Sequence, residues 1–267
     1  MKFPALINIF LLTIILVACD SGHNAQASNT QGSKRSQHKV KKNRVKKVVS
    51  PVIDYDSISG SLPQGFVYVK NVIPDVIEDL RYNTTSNFMG ERADGYQANR
   101  AILTTEAAQA LKGAANQLRD MGYVIKIFDA YRPQSAVNHF LRWSKNNDER
   151  NKAYYYPTMS KRRLFGRYIS RKSGHTRGST IDMTICYAST GKEVDMGGHF
   201  DFLGQASHTA FVGRYSLGEV TTAHRQNRLI LKGVMTRHGF KTISNEWWHF
   251  TLKREPHPTT YYNFPVK

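Results

Sequence analysis

The sequence predicts an α+β fold, a single domain with a central, mainly antiparallel sheet flanked by helices. Three observations carry this expectation. Residues 104–121 and 223–238 repeat apolar side chains at helical spacing. Residues 65–70, 123–128, 179–187 and 247–253 read as short strands. The two kinds of element are interleaved without a regular strand–helix–strand repeat, which disfavours a purely parallel sheet.

The elements follow in chain order. Residues 1–18 read as a secretory leader, with Lys2 ahead of a short apolar run and small residues at its end. That run is too short for a comfortable membrane span. Leu16-Val-Ala-Cys19 looks like a bacterial lipobox, which implies cleavage before Cys19 and lipidation of its sulfur. The competing reading is an uncleaved anchor. Asp20 looks like the residue that retains enterobacterial lipoproteins in the inner membrane. The expected product is therefore an exported, membrane-anchored lipoprotein facing the periplasm.

Residues 19–52 read as a tether. They are rich in Ser, Asn, Gln and Gly, then carry eight cations from Lys34 to Lys47. Such a composition cannot bury enough apolar surface to order itself. It suits contact with anionic lipid or cell wall, and equally an inert spacer. If Cys19 carries lipid, Cys186 is the only other cysteine, so no intrachain disulfide can form. Cys186 lies in an apolar run and reads as a buried small hydrophobe.

Residues 53–267 form the expected folded domain, long enough for one sizeable core. Thr104 or Thr105 caps the first helix and Gly122 stops it. Residues 123–128 make a strand that closes at Asp129-Ala-Tyr-Arg-Pro133. Pro133 opens a helix to about Lys145, since its missing N–H costs nothing in a first turn. Residues 179–187 carry Asp182 on a strand, residues 223–238 form a helix ending at Gly239, and residues 247–253 form the last strand. The stretches 83–101 and 145–172 lack periodicity and read either as lids and substrate walls or as irregular surface.

The formal charge is +18. Lys2 and the eight tether cations supply nine of the 38 positive charges, and Asp20 one of the 20 negative, so the remainder keeps +10. That balance suits anionic surroundings. The export signal and the lack of a recognisable binding motif argue against nucleic acid.

The chemistry concentrates in two segments, Ser173-Gly-His-Thr-Arg-Gly-Ser-Thr-Ile-Asp182 and Glu246-Trp-Trp-His249. A loop entering a strand can present His175 and Asp182 together, and His249 on a neighbouring strand completes a three-ligand set. Two imidazoles and one carboxylate suit Zn²⁺ with an open fourth position, one ion per chain. Glu246 is the spare carboxylate, placed to act as general base and then acid. The arrangement is not the HExxH helix of thermolysin-like enzymes. Trp247 and Trp248 alternate in the expected strand, so one should pack inward and the other wall the pocket.

These segments, extended to Thr184 and Phe250, resemble the VanX-type D-alanyl-D-alanine dipeptidases, zinc D,D-peptidases related to VanY and to the hedgehog-like fold. Asp79-Leu-Arg-Tyr82 with Asn87-Phe88, Asp129–Pro133 and Asp195-Met-Gly-Gly-His-Phe-Asp201 resemble further blocks of the family. The likeness runs from about Phe66 to Phe250. It implies His175, Asp182 and His249 as zinc ligands, Glu246 as catalytic acid/base and Arg132 as the group that steadies the oxyanion. It also implies Asp201 as the partner of the substrate's free amine, and Ser173 near the bound dipeptide.

Each residue has a plainer alternative. Asp182 is also readable as a strand-end salt-bridge partner, His249 as a core histidine, Arg132 as the partner of Asp129 across a turn, and Asp201 as a loop cap. His199 reads as pocket rim, and His139, His208, His224, His238 and His257 as structural or exposed. The resemblance implies hydrolysis of D-alanyl-D-alanine in wall metabolism or dipeptide salvage. The alternatives are a D,D-carboxypeptidase acting on longer stem peptides and an inactive wall-binding lipoprotein.

Overall fold

The structure, a computed structural model, describes residues 52–54 and 61–267. The leader expected at 1–18, Cys19, and the tether up to residue 51 lie outside the described residues. The chain runs β1 (Val52–Asp54), β2 (Phe66–Tyr68), α1 (Val69–Val72), β3 (Ile77–Glu78), β4 (Ile102–Thr104), α2 (Thr105–Asp120), β5 (Tyr123–Asp129) and α3 (Gln134–Trp143). It continues with α4 (Lys152–Tyr155), α5 (Lys161–Leu164), β6 (Thr180–Tyr187), β7 (Gly213–Tyr215), β8 (Gly218–Val220), α6 (Thr222–Arg237), β9 (Phe240–Thr242), β10 (His249–Leu252) and β11 (Tyr261–Asn263).

The central sheet has the order β3-β5-β6-β10-β9. Its β5–β6, β6–β10 and β10–β9 pairings are antiparallel, and only the edge pairing β3–β5 is parallel. The expected α+β domain on a mainly antiparallel sheet is what the chain forms. β6 is buried along nearly its whole length because it has a strand on each side. Its register sets the site: Asp182 stands opposite Asp129 on β5 and opposite His249 on β10. A bulge between Ile127 and Asp129 shifts the β5 register just before that point, which re-aims the strand end.

α2 forms where the helical spacing predicts it. Thr104 caps it, its hydroxyl accepting from Ala107 N, and Gly122 ends it at φ +84. Its buried face is Ala107, Ala108, Leu111, Ala114, Ala115 and Leu118, and it packs on β5 and α6. Burying each leucine is worth roughly 1.5–3 kcal/mol. α6 starts with a capping box, Thr221 Oγ1 accepting from His224 N while His224 Nδ1 accepts from Thr221 N.

Three local expectations change. The strand expected at 65–70 is only Phe66–Tyr68. It pairs with β4 in a separate ribbon, and the chain turns into α1 at Val69. Pro133 is the N-cap of α3 rather than its first helical residue, with ψ near 149. The last strand begins at His249, so Trp247 and Trp248 precede it and do not alternate across it. Both are buried. Among the described residues no helix is long and apolar enough to cross a membrane.

Candidate active site

His175 sits on a single 3₁₀ turn, His175–Arg177, that closes at Gly178 before β6 begins. Gly178 has φ +81, and a Cβ there would lie 2.2 Å from the Phe66 ring. Only glycine lets the turn pack this closely. The turn is tied to β5, with Arg132 N donating to His175 O and His175 Nδ1 donating to Ala130 O at 2.8 Å. That bond fixes the tautomer and leaves Nε2 free.

His175, Asp182 and His249 meet at one point, with one donor atom from each lying within 4.8 Å of the others. His249 Nδ1 is 3.0 Å from Asp182 Oδ1, and His175 Nε2 is 3.3 Å from Asp182 Oδ2. Thr251 Oγ1 lies 3.4 Å from His249 Nε2, the nitrogen facing away from the cluster. Each imidazole therefore turns one nitrogen inward and has an oxygen partner for the other. This is the arrangement that holds a divalent cation with oriented ligands, so the residues fit a metal. Burial keeps His175 below its usual range and hence neutral. Burial would raise Asp182, but the two imidazoles outweigh it and hold the carboxyl well below the usual range. His175 and Asp182 are thus held in the forms that can bind a metal, a neutral imidazole and a carboxylate.

Glu246 Oε2 lies 3.6 Å from His249 Nδ1. Burial pushes its carboxyl up to about 8, Asp182 adds to the rise, and Arg132 opposes it. A cation in the adjacent cluster pulls such a carboxyl down again. Arg132 Nε donates to Asp129 Oδ2 at 2.8 Å, and its Nη2 is 3.5 Å from Asp182 Oδ2. The guanidinium lies over the Tyr82 and Phe140 rings. The turn pairing with Asp129 and the approach to the cluster are therefore both present.

Asp201 is buried and takes φ +62, the one left-handed non-glycine among the described residues. Such a conformation persists only where surrounding contacts hold it. Tyr82 Oη donates to Asp201 Oδ2 at 2.8 Å. Burial, with Asp182 adding, holds this carboxyl well above its usual range. Ser173 is buried, and its Oγ accepts from His175 N. All seven residues line one cleft of about 250 Å³.

The chain matches the peptidase M15 family, described as D-ala-D-ala dipeptidase, over residues 63–267. It belongs to that family. It is 39% identical over 203 residues to a D-alanyl-D-alanine dipeptidase of Streptomyces coelicolor, covering 75% of this chain and 98% of the relative. The same identity over 207 residues relates it to a D-alanyl-D-alanine dipeptidase of Enterococcus faecalis, with 77% and 100% covered. A D-alanyl-D-alanine dipeptidase of Escherichia coli is 32% identical over 181 residues, with 68% and 81% covered. The chain is accordingly a metallopeptidase on the α+β framework of the family.

Two sequence expectations do not hold in this M15 peptidase. Neither tryptophan walls the cleft, since Trp247 faces a separate, larger groove of about 610 Å³ that lacks the His175, Asp182 and His249 cluster. His199 lines that same groove and not the cleft. It stacks on Tyr154 with 4.0 Å between ring centroids.

Other contributors carried no sequence signal of their own. Tyr96 donates to Asp129 Oδ1, and Thr251 backs His249. Buried Arg228 donates Nε to Met196 O and Nη1 to His208 O, tying together the two ends of the segment that contains Asp201. Tyr168 and Arg167, within the aperiodic stretch 145–172, form part of the cleft wall. Part of that stretch therefore lines the cleft.

Proposed function

We propose that this M15 peptidase is a zinc dipeptidase that hydrolyses D-alanyl-D-alanine, with His175, Asp182 and His249 as ligands and Glu246 as acid/base. The observation that carries the reading is that Asp201, a buried carboxylate, shares one small cleft with Glu246, Arg132 and the ligand cluster. Burial holds this carboxyl well above its usual range. A substrate's ammonium favours its charged form, and an acylated amine offers it no such partner.

Zn²⁺, when bound, polarises the peptide carbonyl and makes water acidic enough to attack at neutral pH. Glu246 takes the proton as the water adds to the carbonyl carbon. Arg132, always charged and held by Asp129, offers N–H donors to the oxygen as it gains negative charge. Glu246 then passes its proton to the leaving amine as the C–N bond breaks. Ser173 and the Tyr82–Asp201 pair orient the dipeptide.

The lipobox at Cys19 supports placement as an exported lipoprotein, and Asp20 supports the inner membrane. The basic tether supports contact with anionic lipid or wall. An enzyme so placed salvages dipeptide or trims wall fragments. The test is turnover of D-Ala-D-Ala against an intact stem pentapeptide. Release of D-alanine from the dipeptide alone is expected. Preferential cleavage of the pentapeptide would replace this reading with a D,D-carboxypeptidase.

A further inference from the structure

Beside the cleft lies a second cavity of about 420 Å³ whose lining contains no acidic residue. Three arginines reach it: Arg163 on α5, Arg167 in the turn just after α5, and Arg214 on β7. None of them is paired with a carboxylate among the described residues. The walls include Tyr168, Phe202 and Phe211. Arg167 and Tyr168 also line the catalytic cleft, so the two spaces share one partition.

That partition is built into the backbone. Residues 164–169 make a tight turn in which Tyr168 N and Ile169 N both donate to Leu164 O, with Gly166 at φ +84. Asn245 Nδ2 donates to Arg167 O, joining the turn to the residue before Glu246. Tyr168 Oη is 3.1 Å from His208 Nε2, and the Arg167 guanidinium lies over the Tyr168 ring, 5.9 Å from its centroid. The three guanidiniums are exposed and have no carboxylate partner among the described residues, so together they present a positive field, screened by solvent, that attracts an anion. Arginine's forked donors fit a carboxylate in particular.

A dipeptide is a zwitterion, and this site sorts its two ends. The ammonium is drawn to Asp201, and the carboxylate end is drawn toward the cationic partition at Arg167. The arginine cavity lies on the other face of that partition, within reach of the same field. We propose that this cavity selects dipeptides whose C-terminal residue carries an anionic side chain, so that the substrate class extends beyond D-Ala-D-Ala to D-Ala-D-Glu and its like. The inference rests on the dipeptidase reading and adds the Arg163, Arg167 and Arg214 cavity to its site.

The test compares kcat/KM for D-Ala-D-Glu and D-Ala-D-Gln, which match in size and differ in charge. The metal-loaded enzyme should favour D-Ala-D-Glu by about tenfold at low salt, with the ratio falling in high salt. In the double variant R163Q/R214Q the ratio should approach one, and R163K/R214K should recover part of it. Because both substrates are measured on the same protein, misfolding lowers both rates without moving their ratio. Equal rates in the parent enzyme, or a preference that the double variant leaves intact, would overturn the proposal. Failure to cleave D-Ala-D-Ala itself would instead sink the dipeptidase reading.

Discussion

Asp129 holds Arg132 by its Nε, at 2.8 Å, and leaves the far side of the guanidinium facing the cluster. Asp129 is fully buried and takes a second bond from Tyr96 Oη. The carboxylate is thus locked from both sides, and Arg132 inherits its orientation. This makes Asp129 a positioning residue. Asp129→Asn removes the charge but keeps the shape, so Arg132 loses its charge-assisted anchor. The expected result is a fall in kcat of about 10- to 100-fold with KM for the dipeptide little changed, because misplacing an oxyanion donor costs turnover more than ground-state binding. Steady-state kinetics check this, and an unchanged kcat would return Asp129 to a purely structural role.

Asp201 is expected to act on the opposite end of the substrate. A charge-assisted hydrogen bond to an ammonium is worth about 1.5–3 kcal/mol. Asp201→Ala should therefore raise KM for D-Ala-D-Ala by roughly 10- to 100-fold, with a smaller change in kcat. D-lactyl-D-alanine keeps the scissile amide but has a hydroxyl in place of the amine. Its kcat/KM should be low with the parent enzyme and nearly unaffected by the substitution. An equal loss on both substrates would mean that Asp201 shapes the cleft without meeting the amine.

Much of this site is written locally in the chain. His175 and Asp182 are separated by a glycine that can only be a turn, and the strand after it is apolar enough to be central. Glu246 and His249 are close enough in sequence to share a site wherever the chain runs. The helix at 104–121 is legible because its cap, period and stop agree. The stretch 145–172 hides α4 and α5 because four-residue helices are too short to show a period. The tryptophans mislead because the apolar run begins two residues before the ladder does. Tyr96 and Thr251 announce nothing, and Tyr82 shows only as part of a family block, since what they do depends on partners brought near by the sheet. Tyr82 reaches across 119 residues to Asp201.

Cys186 gives a pH-dependent observable away from the metal. It stands on β6 with no exposed surface. Burial pushes its thiol from an ordinary value of 9.0 up to about 11, with Glu193 adding and Lys126 opposing. The folded value is the raised one, so the unfolded chain ionises first. The resulting stabilisation is complete below about pH 9 and is lost as pH rises toward about 11. Native protein at pH 8 should resist alkylation by iodoacetamide, and denatured protein should react fully, as mass spectrometry reads directly. Rapid labelling of the native protein at pH 8 would contradict the burial.

Removing the metal should separate the ligand residues from Glu246. The cluster confines the Asp182 carboxylate between the buried His175 and half-buried His249 imidazoles, and its binding energy for a cation is also folding energy. At a free zinc concentration 100 times Kd, binding adds about 2.7 kcal/mol to stability. For a domain of this size each kcal/mol moves Tm by roughly 2–4 °C, so chelation should lower it by about 5–10 °C. Added zinc should restore it. Asp182→Ala should lose bound metal, and with it the response to chelator. Glu246→Ala should keep one metal per chain and the full Tm response, while turnover falls by a factor on the order of 10²–10⁴. Elemental analysis beside calorimetry and kinetics distinguishes the two. Loss of metal from the Glu246 variant would make that residue a ligand and leave the proton transfer without a carrier.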